Sequence, residues 1–128
     1  MSVLCASLGT PYAPDFKGRI LFVEDIAEKP YRLDRLFTQL ANAGVLAQVA
    51  GVAVGMKTDC TDPVAATAKE FRQTAADVVK ERLGSLKVPV VMGLPFGHGP
   101  LNATLPVGAL ARLDGKRGDL IVMEAAVR

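Results

Sequence analysis

Tryptophan is missing from this chain of 128 residues, and the other aromatics are few, two Tyr and five Phe. Proteins that grip single-stranded nucleic acid stack bases on aromatic faces, so no such platform is expected here. A strong excess of one charge is also lacking: fifteen Lys and Arg stand against thirteen Asp and Glu, a formal net charge of +2. That balance builds no field for gripping a polyanion, whether nucleic acid or an anionic membrane. Cysteine is scarce as well, and Cys5 and Cys60 match neither a CxxC nor a Cys/His metal spacing. Both read as ordinary buried thiols. No apolar run approaches the roughly 18 residues that span a bilayer. The opening MSVLCASLGTP has no basic region ahead of its short apolar stretch, so no export signal is expected.

What is present is apolar: half the residues are hydrophobic. A chain of this length holds one packed core more comfortably than two, which predicts a single domain over residues 1–128. Small-molecule or peptide chemistry fits this composition better than binding to a polymer.

Along the chain, Ser2 to Leu8 is about two turns of apolar helix, stopped by Gly9, Pro11 and Pro14. Arg19 to Val23 (RILFV) is a β-branched and aromatic run that predicts a buried strand, with Glu24 and Asp25 at its C-terminal end. From Tyr31 to Ala43, Leu33, Leu36, Phe37 and Leu40 recur at helical spacing, and Gly44 is the expected C-cap. Val49 to Val54 predicts a second strand. A second helix is expected from about Val64 to Leu83, striped by Val64, Ala68, Phe71, Ala75, Val78, Val79 and Leu83. Val88 to Met92 predicts a third strand. Leu105 to Leu113 and Asp119 to Met123 are expected to pair as a hairpin about the Asp114-Gly115 step. The order β-α-β-α-β-β-β is that of an α/β layered domain.

The most unusual stretch is GLPFGHGPLN, Gly93 to Asn102, which holds three glycines, two prolines and the sole histidine directly after a strand. Proline fixes φ and glycine permits close approach, so the loop is expected to be rigid and to hold His98 in a set orientation. The plainer reading is a surface histidine in a tight turn. A phosphate-binding reading of the glycines is weak, because no Lys-Ser/Thr follows and the loop opens no helix. A carboxylate within reach of His98 would orient its imidazole, and Glu24 and Asp25 end a strand where functional groups gather. Those acids could equally cap the next helix or pair with Lys29, Arg32 or Arg35. None of the serines Ser2, Ser7 and Ser85 lies in a G-x-S-x-G elbow, and no nucleophile is expected among them.

Three segments carry a family resemblance. GRILFVEDIAEKPYRLDRLFTQLANAGVL closely resembles the LD-carboxypeptidase run in which a strand ending in Glu-Asp leads through E-K-P-Y-R into an amphipathic helix. PFGHGPLNATLPVG resembles the histidine loop of that family of serine peptidases, and SVLCASLGTPYAPDFKG resembles the stretch ahead of the strand. The resemblance implies a three-layer β/β/α swivelling fold within a two-domain cytoplasmic enzyme. Its N-terminal domain would supply the serine and the oxyanion hole, and its C-terminal domain a glutamate and a histidine. Matched by motif, those two fall on Glu24 and His98, while Asp25, Glu28, Tyr31 and Arg32 share the motif without individual roles. The implied reaction is cleavage of the L,D bond before a terminal D-alanine in muropeptides, with no metal or organic cofactor. The family's Gly-Tyr-Ser-Asp nucleophile segment is absent from this chain, so the chain alone is expected to be inactive. Homodimers are frequent in the family. The alternatives are a domain of a microcin-immunity type of serine peptidase, or a non-catalytic binding or interaction module of the same fold.

Overall fold

The computed structural model describes residues 1–62 and 73–127. In chain order the elements are α1 (Ser2–Ser7), β1 (Ile20–Ile26), α2 (Pro30–Asn42), β2 (Gly51–Thr58), α3 (Ala75–Leu83), β3 (Val90–Leu94), β4 (Ala111–Asp114) and β5 (Asp119–Val122). Strands β1, β2 and β3 form a parallel sheet in that order, and β4 and β5 pair as a separate antiparallel hairpin.

Alternation along the parallel strands sorts side chains to two faces. Leu21 and Val23 of β1, with Val52 and Val54 of β2, are buried among Leu33, Phe37 and Leu40 of α2 and Val78, Val79 and Leu83 of α3. Ala53 of β2 and Val91 of β3 face the other way and are buried with Phe96 and Leu113, flanked by Leu94, Leu105 and Leu120. The parallel sheet is therefore sandwiched between the helices and the hairpin, an α/β fold in three layers, β/β/α.

Helix α2 starts at Pro30, whose missing N–H is no loss at a first helical position. Its stripe of Leu33, Leu36, Phe37 and Leu40 is buried, as the spacing predicts. Helix α3 opens with a reciprocal cap: the Thr74 hydroxyl accepts from the Asp77 N–H at 3.1 Å, and the Asp77 carboxylate accepts from the Thr74 N–H at 3.0 Å. Hydrogen bonds from the Thr74 hydroxyl and N–H hold the Asp77 carboxyl below its ordinary range. Asp34 of α2 receives both Arg82 Nε and, at 3.0 Å, Arg82 Nη2, a two-pronged link between the helices.

Four sequence expectations need correction. The helix expected from Val64 is not continuous to Leu83, because Gln73 and Thr74 are non-helical and Thr74 is its cap; Val64 to Arg72 lie outside the described residues. Strands β1 and β2 run on to Ile26 and Thr58, past the end of their apolar runs, because pairing with each other continues there. Strand β3 begins at Val90 and not Val88, since Pro89 has no N–H to donate, although its carbonyl accepts from Val52 at 2.9 Å. Leu105 to Leu110 is irregular, interrupted by Pro106 and Gly108, so the first hairpin strand is only Ala111–Asp114. The turn itself sits where expected, with Asp114 Oδ1 accepting from the N–H groups of Lys116 at 3.0 Å and Arg117 at 3.1 Å.

Candidate active site

The site is built where β1 and β2 lose register. Val23 pairs with Val54, yet Asp25 pairs with Lys57, so Glu24 stands opposite two residues, Gly55 and Met56. The extra residue belongs to β2, and β1 keeps its alternation, with Phe22 and Glu24 on one face and Val23 and Asp25 on the other. Glu24 turns to the loop beyond β3, whereas Asp25 turns to the helix side. There, Asp25 Oδ2 lies 3.2 Å from the Met1 ammonium, a charge contact without hydrogen-bond geometry.

The loop after Leu94 is braced on both sides of His98. Phe96 is 4% exposed, anchored in the core beneath the hairpin, and meets Phe22 edge-on with ring centres 5.8 Å apart. Its carbonyl accepts from the Met56 N–H at 3.1 Å. Beyond the histidine, Asn102 Oδ1 accepts from the Gly97 N–H at 3.2 Å, and the Ala103 N–H donates to the Pro95 carbonyl at 2.7 Å. A Cβ on Gly55 would stand 2.5 Å from the Phe96 ring and 2.6 Å from its carbonyl oxygen. Gly55→Ala is therefore expected to push the anchor out and to destabilise the protein by about 1–3 kcal/mol, the usual cost of overpacking. Chemical denaturation checks this, and an unchanged midpoint would mean that the loop is not seated as described.

His98 Nδ1 lies 2.8 Å from Glu24 Oε2, across 74 positions of sequence. Gly97 makes the approach possible: its φ is +105°, and a Cβ there would lie 2.6 Å from Glu24 Oε2. The His98 side chain is 56% exposed and that of Glu24 25%, so the pair sits at the surface and not in the core. An ionised carboxylate can only accept, which puts the proton of a neutral imidazole on Nδ1. Nε2 then keeps its lone pair, and among the described residues nothing else hydrogen-bonds the ring. Such an imidazole can take a proton from an incoming hydroxyl and return it. An open groove of about 350 Å³ is lined by Gly55, Met56, Lys57, Thr58, Gly93 and Pro100, the last two lying on either side of His98 in sequence.

The remaining motif residues do not join this pair. Arg32 holds Glu28 at 3.5 Å and the Tyr31 hydroxyl at 3.2 Å, an exposed cluster at the start of α2. The hydrogen bond from the Arg32 guanidinium pushes the Tyr31 hydroxyl down from its ordinary pKa. Glu24 and Asp25 neither cap α2, which has no side-chain cap, nor pair with Lys29, Arg32 or Arg35; Lys29 instead faces Asp62 at 3.6 Å. Ser2 and Ser7 lie in α1 and Ser85 comes after α3, and none hydrogen-bonds His98. Cys5 and Cys60 are buried free thiols, and burial pushes both up in pKa. Sequence reasoning missed the bracing by Phe96 and Asn102. For Phe96 a signal existed, since it is the one large apolar side chain between Pro95 and Pro100; Asn102 is an ordinary loop residue with no such mark.

Fold and site together define a class: an α/β domain that presents a carboxylate-held imidazole on a braced loop, with no activated nucleophile beside it among the described residues. The chain belongs to the LD-carboxypeptidase C-terminal domain family, whose model matches residues 1–113. It is 47% identical over 120 residues to a Synechocystis protein provisionally named a carboxypeptidase, covering 94% of this chain and 38% of that one. The murein tetrapeptide carboxypeptidase of Pseudomonas aeruginosa is 32% identical over 117 residues, covering 91% of this chain and 36% of the relative. The solved muramoyltetrapeptide carboxypeptidase of Oxalobacter formigenes superposes with a TM-score of 0.79 at 36% identity, over 93% of this chain and 40% of that one. The microcin C7 self-immunity protein MccF, solved in complex with aspartyl sulfamoyl adenosine, superposes equally well, TM-score 0.79, at 26% identity over 99% of this chain and 36% of the other. The chain thus spans less than half the length of the relatives it matches. The family expected from the motifs is the family found, and the three layers expected from it are the layers observed. Among the described residues no helix is long and apolar enough to cross a membrane.

Proposed function

We propose that this chain, as one domain over residues 1–128, is the glutamate- and histidine-bearing part of a serine LD-carboxypeptidase that releases terminal D-alanine from muropeptides. The observation that supports this reading is the 2.8 Å contact between His98 Nδ1 and Glu24 Oε2, held by a loop braced on both sides. A serine on a separate N-terminal domain is the nucleophile. His98 Nε2 takes its proton as the serine oxygen attacks the carbonyl of the L,D bond, then returns the proton to the departing amine of D-alanine. Water enters the acyl-enzyme by the same route in reverse. Glu24 holds the tautomer and stabilises the imidazolium that forms. The half-exposed histidine and the exposed apolar side chains of Phe22 and Leu101 suit a face completed by another domain. The enzyme works in the cytoplasm as a homodimer, without a metal or organic cofactor, as the family resemblance implies.

A second reading is favoured by one observation, the equal superposition on the microcin immunity protein. In it, the same two residues serve cleavage of a peptide-nucleotide toxin. The higher identity to the muramoyltetrapeptide enzyme, 36% against 26%, favours the cell-wall substrate.

The test is D-alanine release from a muropeptide tetrapeptide, by the 128-residue chain and by the same chain joined to its serine-bearing domain. The chain alone is expected to fold and to show no turnover above background; the joined protein is expected to release D-alanine. Robust release by the pure chain would overturn the division of labour. No release by the joined protein, with cleavage of a peptide-nucleotide instead, would favour the second reading, and inactivity on both would favour a binding module.

A further inference from the structure

His98 stands between two glycines, and among the described residues its backbone makes no hydrogen bond. Its ring makes one, to Glu24. Where the ring points is therefore decided by what holds its neighbours. Phe96 is fixed by its buried ring and by the Met56 N–H on its carbonyl, and the base of the loop is closed by the Ala103 N–H on the Pro95 carbonyl at 2.7 Å. On the far side of His98, Gly99 lies against the Met56 side chain, which a Cβ there would strike. Between the anchored Phe96 and His98 stands Gly97, at φ +105°. Glycine is the residue least confined by its own sterics, so a loop hinged there needs an outside hold on the peptide. The N–H of Gly97 has that hold in the side-chain oxygen of Asn102, at 3.2 Å and five positions away. Among the hydrogen bonds that close this loop, it is the one supplied by a side chain.

We propose that Asn102 is a positioning residue for the acid-base pair, an inference that rests on the carboxypeptidase reading above. Its Oδ1 fixes the plane of the Phe96–Gly97 peptide, and with it the direction in which the chain enters His98. The same Gly97 sets its bare Cα against the Glu24 carboxylate, where a Cβ would lie 2.6 Å from Oε2. One hydrogen bond thus governs both the entry to the imidazole and the space its carboxylate occupies. That bond reaches neither group directly, so Asn102 acts through Gly97. It is exposed to solvent and backed by the backbone tie at Ala103, so its loss leaves the fold standing and loosens only the loop. When His98 swings off Glu24, nothing sets its tautomer. The proton is then free to sit on Nε2, where a base must keep its lone pair.

The test follows the ring-nitrogen resonances of His98, the sole histidine, in the isotope-labelled chain with the imidazole neutral. Asn102→Leu, similar in shape but without an acceptor, and Asn102→Ala are expected to lower the ratio of the Nδ1–H to the Nε2–H tautomer about three- to tenfold, the worth of one ordinary hydrogen bond. Both should keep a dispersed spectrum. In the protein joined to its serine domain, the same variants should lower kcat for D-alanine release by about the same factor and leave KM within about twofold. Asn102→Asp keeps an acceptor for the Gly97 N–H and should retain most of the tautomer ratio and of kcat. An unchanged tautomer ratio in Asn102→Leu and Asn102→Ala, or a loss in Asn102→Asp as large as theirs, would overturn the proposal. So would a loss carried by KM with kcat intact, which would make Asn102 a substrate contact. Should the joined protein fail to release D-alanine while the tautomer ratio follows the variants as expected, the carboxypeptidase reading falls and the positioning of His98 by Asn102 stands.

Discussion

His98→Ala, made in the protein that joins this chain to its serine domain, is expected to lower kcat/KM for D-alanine release by roughly 10⁴-fold or more. Without the imidazole, the serine proton has no acceptor within reach and the departing amine has no donor. The residual rate would come from binding and the oxyanion hole alone. Stability should be nearly untouched, because the ring is half exposed and its one hydrogen bond is to Glu24. Steady-state kinetics with a melting curve on the same sample check both halves of this statement. A variant within tenfold of the parent would remove His98 from the role of base.

Glu24→Gln is expected to cost roughly 10³- to 10⁴-fold in kcat with little change in KM, the pattern for losing the acid that orients a catalytic histidine. The amide fills the same space, so the crowding against Gly97 is kept and the fold survives. What disappears is the negative charge that stabilises the imidazolium and the acceptor that sets its tautomer. An amide can present its NH₂ group to Nδ1, which reverses the tautomer and leaves Nε2 protonated at the moment a base is needed. Asp25→Asn is the informative companion. Asp25 turns to the helix side, towards Cys5 and Cys60 and away from His98, so that change should leave kcat within a few-fold of the parent's. A large loss for Asp25→Asn beside a small one for Glu24→Gln would transfer the orienting role to the neighbouring acid.

Much of the molecule was legible in the chain because its signals are local. The stripe of Leu33, Leu36, Phe37 and Leu40 specifies α2, since only a helical period brings those four to one face. The apolar runs at Ile20–Val23 and Val52–Val54 mark buried parallel strands, because a strand covered on both faces has no polar positions to alternate. The Gly- and Pro-rich stretch around His98 announces a constrained loop, and the Glu-Asp and histidine motifs identify the family. Boundaries were less legible where pairing or proline chemistry decides them, as at Ile26, Thr58 and Val90.

Which of two adjacent acids meets the histidine follows from alternation along β1: Leu21 and Val23 face the helices and Phe22 faces Phe96, so Glu24 comes to the face of Phe22 and Asp25 returns to the helix side. Tertiary structure alone decided what that face meets. The bulge puts one extra residue into β2, Gly55 and Met56 standing opposite Glu24, a property of how the two strands lie against each other. The approach of His98 likewise depends on contacts distant in sequence: Phe96 seated against Gly55 and Phe22, and Gly97 bare enough to admit the Glu24 carboxylate. Local propensity determined the elements of this protein, since backbone and side-chain preferences act over a few residues. Packing determined the site, since the distance between Glu24 and His98 is set by a sheet that exists only once all three parallel strands have assembled.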